Sequence, residues 1–244
     1  MTAVQTINLT KNYKNKTAVD SLNLSIEQGS LFALLGVNGA GKTTTIKMLS
    51  GLIRPSGGDA VLLGNSIVRS PLAVKACINV SPQETAVAPN LTVRENLELI
   101  CGIYGHNRRI SRHKAEAVIE SFGLAQIQRE KAKILSGGWQ RRLSIAMALI
   151  SEPQILFLDE PTLGLDVLAR RDLWRIIEQL KGKITIILTT HYLEEAEALS
   201  DRIGIMSGSR LIAEGAAGEL MERTNTTKFE DAFVMLCGEG GNAE

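Results

Sequence analysis

The sequence is poor in cysteine, has no long apolar run and carries almost no charge imbalance; each absence excludes a class of protein. Its three cysteines, Cys77, Cys101 and Cys237, lie far apart, with neither a metal-like pair nor an even disulfide framework. That usage fits a reducing cytoplasm. No apolar run approaches the roughly 18 residues that a membrane helix requires, and the polar stretch Met1–Lys16 lacks the apolar core of a secretory signal. If the chain serves a membrane, a partner must supply the spans. Lysine and arginine number 27 against 26 acidic residues, a formal charge of +1. Nothing in that balance argues for nucleic acid or for an anionic membrane surface, and no nucleic-acid partner is expected. The short basic cluster His106–Arg112 is expected to be a solvated connector.

The remaining composition is that of a globular protein with a real core: 244 residues, 44% hydrophobic and 22% charged. This length fits one compound domain. Short strands are expected at Val4–Leu9, at Val19–Ile26 with alternation, and at the solid apolar run Leu31–Leu35. A glycine-rich turn follows from Gly36 to Thr45, and Thr43–Leu52 continues with helical character. Gly57–Gly64 reads as turn and strand, and Ile78–Ser81 as a short strand. From Val93 to about Ile150 the apolar residues fall at helical spacing over Thr92–Tyr104, Arg112–Phe122 and Gln140–Ile150, which predicts a helical lobe. Strand and helix then alternate through Ile155–Leu158, Leu168–Leu180, Ile184–Thr189, Leu193–Leu199 and Ile203–Met206. Buried strands alternating with helices imply an α/β fold with a largely parallel sheet. The last residues, Gly238–Glu244, are expected to form a frayed tail.

The strongest chemical signal is Gly36-Val37-Asn38-Gly39-Ala40-Gly41-Lys42-Thr43, which fits the spacing of a phosphate-binding loop. Glycines let the backbone bend so that successive N–H groups face phosphate oxygens at the positive end of the following helix. Lys42 supplies a flexible point charge to the outer phosphates, and the Thr43 hydroxyl suits magnesium. A chance match has odds of about one in a hundred for a chain this long. The second signal is Ile155-Leu156-Phe157-Leu158-Asp159-Glu160. Two carboxylates emerge from a buried strand at the end where open α/β sheets bind ligands. Asp159 is expected to hold magnesium, and Glu160 to polarise the water that attacks the γ-phosphate. An acidic turn after a strand is common by itself; it is the phosphate loop that gives this one meaning.

Between these motifs stands Leu135-Ser136-Gly137-Gly138-Trp139-Gln140-Arg141, followed by Pro161-Thr162-Leu163-Gly164-Leu165-Asp166 and Thr190-His191, with Gln83 in Ser81-Pro82-Gln83-Glu84. This ordered set resembles the ABC-type ATPases, covering residues 13–191. The resemblance implies a RecA-like phosphate-loop core with an antiparallel β subdomain at the N-terminal side and an inserted helical subdomain. It divides the single domain into residues 1–85 with 152–222, a helical signature part 86–151, and a short C-terminal helix and tail 223–244. It implies ATP and Mg2+ as cofactors, held by the residues from Gly36 to Thr44. It also implies that Tyr13 stacks on adenine, although a tyrosine among lysines and asparagines fits plain exposure too. Thr43, Gln83 and Asp159 become magnesium contacts, and Glu160, His191 and Gln83 the hydrolytic set.

Ser136, Gly137 and Gly138 open a helix and form a second anion-ready site. The resemblance assigns that site to the ATP of a second copy, or of a homologous subunit, paired head to tail. ATP then closes the pair and hydrolysis opens it. Trp139 departs from the family, which has glutamine or a similar polar residue there. The run from His191 through Gly215 and the ending Phe229–Leu236 resemble the drug- and lipid-exporter-like branch. Importer motors often carry a further regulatory domain, for which this length has no room. The expected protein is a transporter motor on the cytoplasmic face of the inner or plasma membrane, held there by a separate multi-span permease. Two alternatives stand against it. A soluble ABC-type ATPase usually brings a coiled-coil insertion or a second motor domain, and a phosphate-loop kinase or GTPase lacks the signature loop.

Overall fold

A computed structural model describes residues 1–241 and arranges them as two sheets with helices on both sides. The chain begins with a hairpin of two 12-residue strands, β1 (Thr2–Tyr13) and β2 (Lys16–Glu27). Both run longer than the apolar alternation predicts. Their pairing shifts register at several points, and Asn8 and Ser21 sit at φ of 47° and 48°. Such bulges break the period of two on which a sequence reading depends. After β3 (Leu31–Gly36) and helix α1 (Lys42–Leu49) come β4 (Gly57–Leu62) and the short β5 (Asn65–Ser66). They complete a four-stranded antiparallel sheet in the order β2-β1-β4-β5.

Helix α2 (Pro71–Cys77), begun by a proline at its first position, leads into β6 (Ile78–Ser81). The next three helices are α3 (Val93–Ile103), α4 (Arg108–Ser121) and α5 (Gly137–Leu149), with an isolated β bridge between Thr92 and Lys131. A capping box fixes the start of α3: the Glu95 N–H donates to Thr92 Oγ1 at 3.2 Å and the Thr92 N–H to Glu95 Oε2 at 2.8 Å. The basic cluster is corrected here. Arg108–Arg112 form the opening turns of α4, because the Asn107 side chain caps them by accepting the Ile110 N–H at 3.0 Å. Their charges do lie on the exposed side.

The second half alternates β7 (Ile155–Asp159), α6 (Val167–Glu178), β8 (Thr185–Thr190), α7 (Leu193–Leu199), β9 (Arg202–Ser207) and β10 (Arg210–Gly215), then α8 (Ala217–Arg223) and α9 (Phe229–Gly241). The six-stranded sheet has the order β10-β9-β3-β8-β7-β6, parallel except for β10. Every residue of β3, β7 and β8 is buried, as expected of strands covered on both faces. Alternate residues serve two cores. Leu31, Ala33 and Leu35 face the one shared with α3, α4 and α5; Phe32 and Leu34 face the one shared with the antiparallel sheet and α1. At the C-terminus helix replaces the expected frayed tail over residues 238–241, while residues 242–244 lie outside the described residues.

Candidate active site

Strands β3, β6, β7 and β8 run parallel and end at one edge of the sheet, at Gly36, Ser81, Asp159 and Thr190. This is the edge where open α/β sheets take ligands, and a cleft of about 510 Å³ lies there. The loop between β3 and α1 forms its floor. A Cβ on Gly36 would sit 2.4 Å from the Met206 carbonyl oxygen, and one on Gly41, at φ +106°, would sit 2.3 Å from that of Ala18. Only glycine fits at either position. Lys42 is 5% exposed. Its Nζ donates to the Gly36 carbonyl at 2.6 Å and the Val37 carbonyl at 3.2 Å, and stands 3.5 Å from Glu160 Oε1.

The carboxylates are held from below. Thr43 Oγ1 donates to Asp159 Oδ1 at 3.1 Å, and Thr189 Oγ1 donates to the same oxygen at 2.6 Å. The Thr189 hydroxyl also accepts the Glu160 N–H at 3.1 Å. Glu160 adopts the left-handed conformation at φ +48°, which for a non-glycine residue costs about 1–3 kcal/mol and gathers at functional sites. Its Oε2 lies 2.7 Å from His191 Nδ1. One carboxylate is thus flanked by an ammonium and an imidazole beside the phosphate loop.

Of the sequence-predicted residues, Tyr13, Asn38, Gly39, Gly41, Lys42, Thr43, Thr44, Gln83, Glu160 and His191 line this cleft. Tyr13 stands at its rim, 46% exposed, with the Lys11 ammonium 5.1 Å from the ring centre. Ala40 is buried, while Gly36 and Val37 face a smaller adjoining hollow with Asn38 and His191. Asp159 is 5% exposed, beneath Thr43. Ser136, Gly137 and Gly138 do not line the cleft.

The matching sequences and structures bear on that arrangement. Residues 19–163, more than half of the chain, match the family described as ABC transporter. The chain belongs to this ABC transporter family. It is 41% identical over 243 residues to the daunorubicin resistance ATP-binding protein DrrA3 of Streptomyces coeruleorubidus, covering 99% of this chain and 77% of that one. The Nod factor export ATP-binding protein I of Rhizobium etli is 41% identical over 230 residues, covering 91% and 71%. Of some other curated relatives the chain spans less, 66% and 42% of two. Among solved structures, an ATP-binding subunit of an ABC transporter superposes with a TM-score of 0.84 at 26% identity, covering 96% of this chain and 99% of that one. A dimeric ATP-binding cassette in a post-hydrolysis state with ADP and phosphate gives 0.78 at 25% identity, covering 87% and 98%. The fold is the RecA-like phosphate-loop fold of this family, and the chain is an ATP-binding subunit and an ATPase.

In this ABC subunit the signature loop is a separate feature at the start of α5. Ser136 and Gly137 are exposed, and the Ser136 side chain accepts no capping hydrogen bond. The first N–H groups of a helix have no intrahelical partner. Gln140 secures the loop from behind, donating to the Ala132 and Leu135 carbonyls at 3.0 and 3.3 Å. Trp139 is partly buried against the helical core, and the Arg142 guanidinium lies 4.6 Å from its ring centre. The indole packs on its own chain.

Sequence reasoning missed several residues. Lys16, Ala18 and Leu163 also line the cleft; Leu163 stands inside the motif Pro161–Asp166 without a role assigned to it, and the other two were signalled only by closeness in sequence to Tyr13. Thr189 was legible as the polar end of an apolar strand, two residues before His191. Arg141, 4% exposed, lies behind the carboxylates. Glu195, fully buried, gave no signal. Its Oε1 accepts from Trp174 Nε1 at 3.1 Å, while its Oε2 lacks a partner among the described residues. Burial pushes its pKa up.

Proposed function

We propose that this chain is the motor of an ABC exporter. Two copies, or one copy and a homologous subunit, sandwich two ATP head to tail and drive a separate multi-span permease from the cytoplasmic face of the membrane. One observation carries the proposal: the chain owns two helix starts suited to phosphate, and only one opens into its own cleft. The exposed Ser136-Gly137-Gly138 start is then matched by the nucleotide of the other subunit. The export direction is supported by the curated relatives, which include resistance and export proteins. No helix among the described residues is long and apolar enough to cross a membrane, in keeping with a permease on another chain.

The geometry supports the following roles. The backbone of residues 36–44 and Lys42 hold the phosphates, exchanging the carbonyl contacts of Lys42 for phosphate oxygens. Tyr13 offers its ring to adenine. Glu160, placed between Lys42 and His191, orients and deprotonates the attacking water, and His191 hydrogen-bonds the γ-phosphate. The oxygen donors Thr43 and Asp159, 3.1 Å apart, fit magnesium, which takes few protein ligands and completes its shell with phosphates and water. With Gln83 they would hold the ion, which when bound neutralises charge building on the phosphates. Residues 86–151 act as one helical unit on the core of residues 1–85 and 152–222, with 223–244 as a C-terminal appendage.

The test is isolation from native membranes by cross-linking. A multi-span membrane protein should come down with the chain, and its presence should raise ATP turnover and permit ATP-driven efflux. An active chain found only in the soluble fraction, with turnover indifferent to any membrane protein, would leave the soluble ABC-type ATPase in its place.

A further inference from the structure

Arg141 lies one helical turn beyond Gly138, and its partners are backbone carbonyls. A guanidinium offers five N–H donors in a rigid plane, and here all five are used. Nε donates to the Pro161 carbonyl at 2.7 Å. Nη2 donates to those of Asp159 and Glu160, each at 2.6 Å. Nη1 donates to the Pro82 carbonyl and, at 3.2 Å, to that of Gln83. The acceptors belong to two segments: the loop after β6 that bears Pro82 and Gln83, and the end of β7 with the loop after it, which bear Asp159, Glu160 and Pro161. One turn further on, Ser144 Oγ meets Ser81 Oγ at 3.0 Å. Burial draws the Arg141 pKa down to about 10 against the fields of Asp159, Glu195 and Glu160, which leaves it charged at neutral pH.

We propose that Arg141 is a positioning residue that couples the two nucleotide sites: it ties the signature loop, which grips the other subunit's nucleotide, to the backbone that aims Glu160 and Gln83 at this chain's own. The proposal rests on the head-to-tail reading above. A shift of α5 toward the other subunit must carry the two loops with it, because a displacement of about 1 Å breaks hydrogen bonds of this length. Glu160 is where that pull matters most. Its left-handed backbone is held by its own N–H, shared between the Thr189 hydroxyl and carbonyl at 3.1 Å each, and by its carbonyl, which accepts from Arg141 Nη2 at 2.6 Å and from the Leu163 N–H at 3.2 Å. Losing the shorter, charged Arg141 bond leaves that carbonyl only the Leu163 N–H, which lets the peptide relax and swings the carboxylate away from Lys42 and His191. Lysine cannot replace the guanidinium, since three donors on a point charge do not span two loops.

The experiment compares wild type, Arg141→Lys and Glu160→Gln in the complete transporter, measuring kcat, cooperativity in ATP, equilibrium ATP affinity without hydrolysis, and melting temperature. Arg141→Lys keeps the buried charge. It should lower kcat about tenfold or more, as small misplacements at a catalytic site do, and abolish cooperativity in ATP. Its ATP affinity should stay within about twofold of wild type, a difference of about 0.4 kcal/mol. A folded Arg141→Lys that keeps its turnover and cooperativity, or that only melts earlier, overturns the proposal. So does a loss of affinity in step with turnover. Failure of the head-to-tail ATPase reading itself looks different: wild type hydrolyses without cooperativity, or Glu160→Gln stays fully active.

Discussion

The starts of α1 and α5 are both helix N-termini built on small residues, yet they are finished to different degrees. At α1 the side chains are already engaged: Lys42 is 5% exposed and bonded to Gly36, and Thr43 is bonded to Asp159. At α5 the Ser136 side chain caps nothing, and a Cβ on Gly137 would meet no atom within 4 Å. A helix start with free N–H groups and positive dipole favours an anion, but only α1 has its counter-residues gathered in the same chain. The first is a pocket complete by itself. The second lines no cleft of its own chain, and under the proposed head-to-tail pairing it completes the pocket of the other subunit.

The largest effect that can break this contrast is on turnover. Glu160→Gln removes the proposed base from the α1 pocket and leaves the phosphate loop intact, so hydrolysis should fall by about 10²-fold or more. ATP should still bind and should trap a dimer visible by size-exclusion chromatography. Next comes Ser136→Arg at the α5 start. Turnover should fall about tenfold to a hundredfold, while ATP affinity of the isolated chain stays unchanged. Equal losses in the two would mean that α5 serves its own chain's nucleotide, and the contrast would vanish. Lys42→Ala deletes a charge-assisted contact of about 1.5–3 kcal/mol, so ATP affinity should drop by roughly ten- to a hundredfold while AMP affinity holds; titration calorimetry with both nucleotides checks it.

The smallest effect sharpens the picture of a prebuilt α1 side. Glu195 is buried beside Thr162 and Thr190, and its pKa lies above the ordinary 4.5. The folded state therefore keeps a proton that the unfolded chain gives up, and stability falls as pH rises from 4.5 toward the raised value. Glu195→Gln removes that dependence. The variant should melt above wild type at about pH 7 and level with it near pH 4. A wild type that melts alike across that range would mean the carboxyl ionises freely.

The legible and illegible parts divide along residues. Apolar runs at β3, β7 and β8 gave their strands, since burial on both faces writes itself as unbroken hydrophobicity. The bulged hairpin was underestimated because its register shifts scramble alternation. The opening of α4 was missed because the basic cluster His106–Arg112 read as a solvated connector, while the deciding signal was the Asn107 cap. Within the site, the residues of the phosphate-loop motif were readable from spacing. Arg141, which acts through carbonyls, was not, because any residue type presents the same backbone oxygen.

The sequence by itself determined the family, the phosphate loop and the order of its companions, because backbone geometry at a phosphate demands glycine, lysine and a hydroxyl at set intervals. Tertiary structure decided what those residues do to one another. It placed Glu160 between Lys42 and His191, hung two loops on one guanidinium and kept the signature loop out of its own chain's cleft. Those relations depend on how β6, β7 and α5 stack, and packing at long range leaves no local pattern to read.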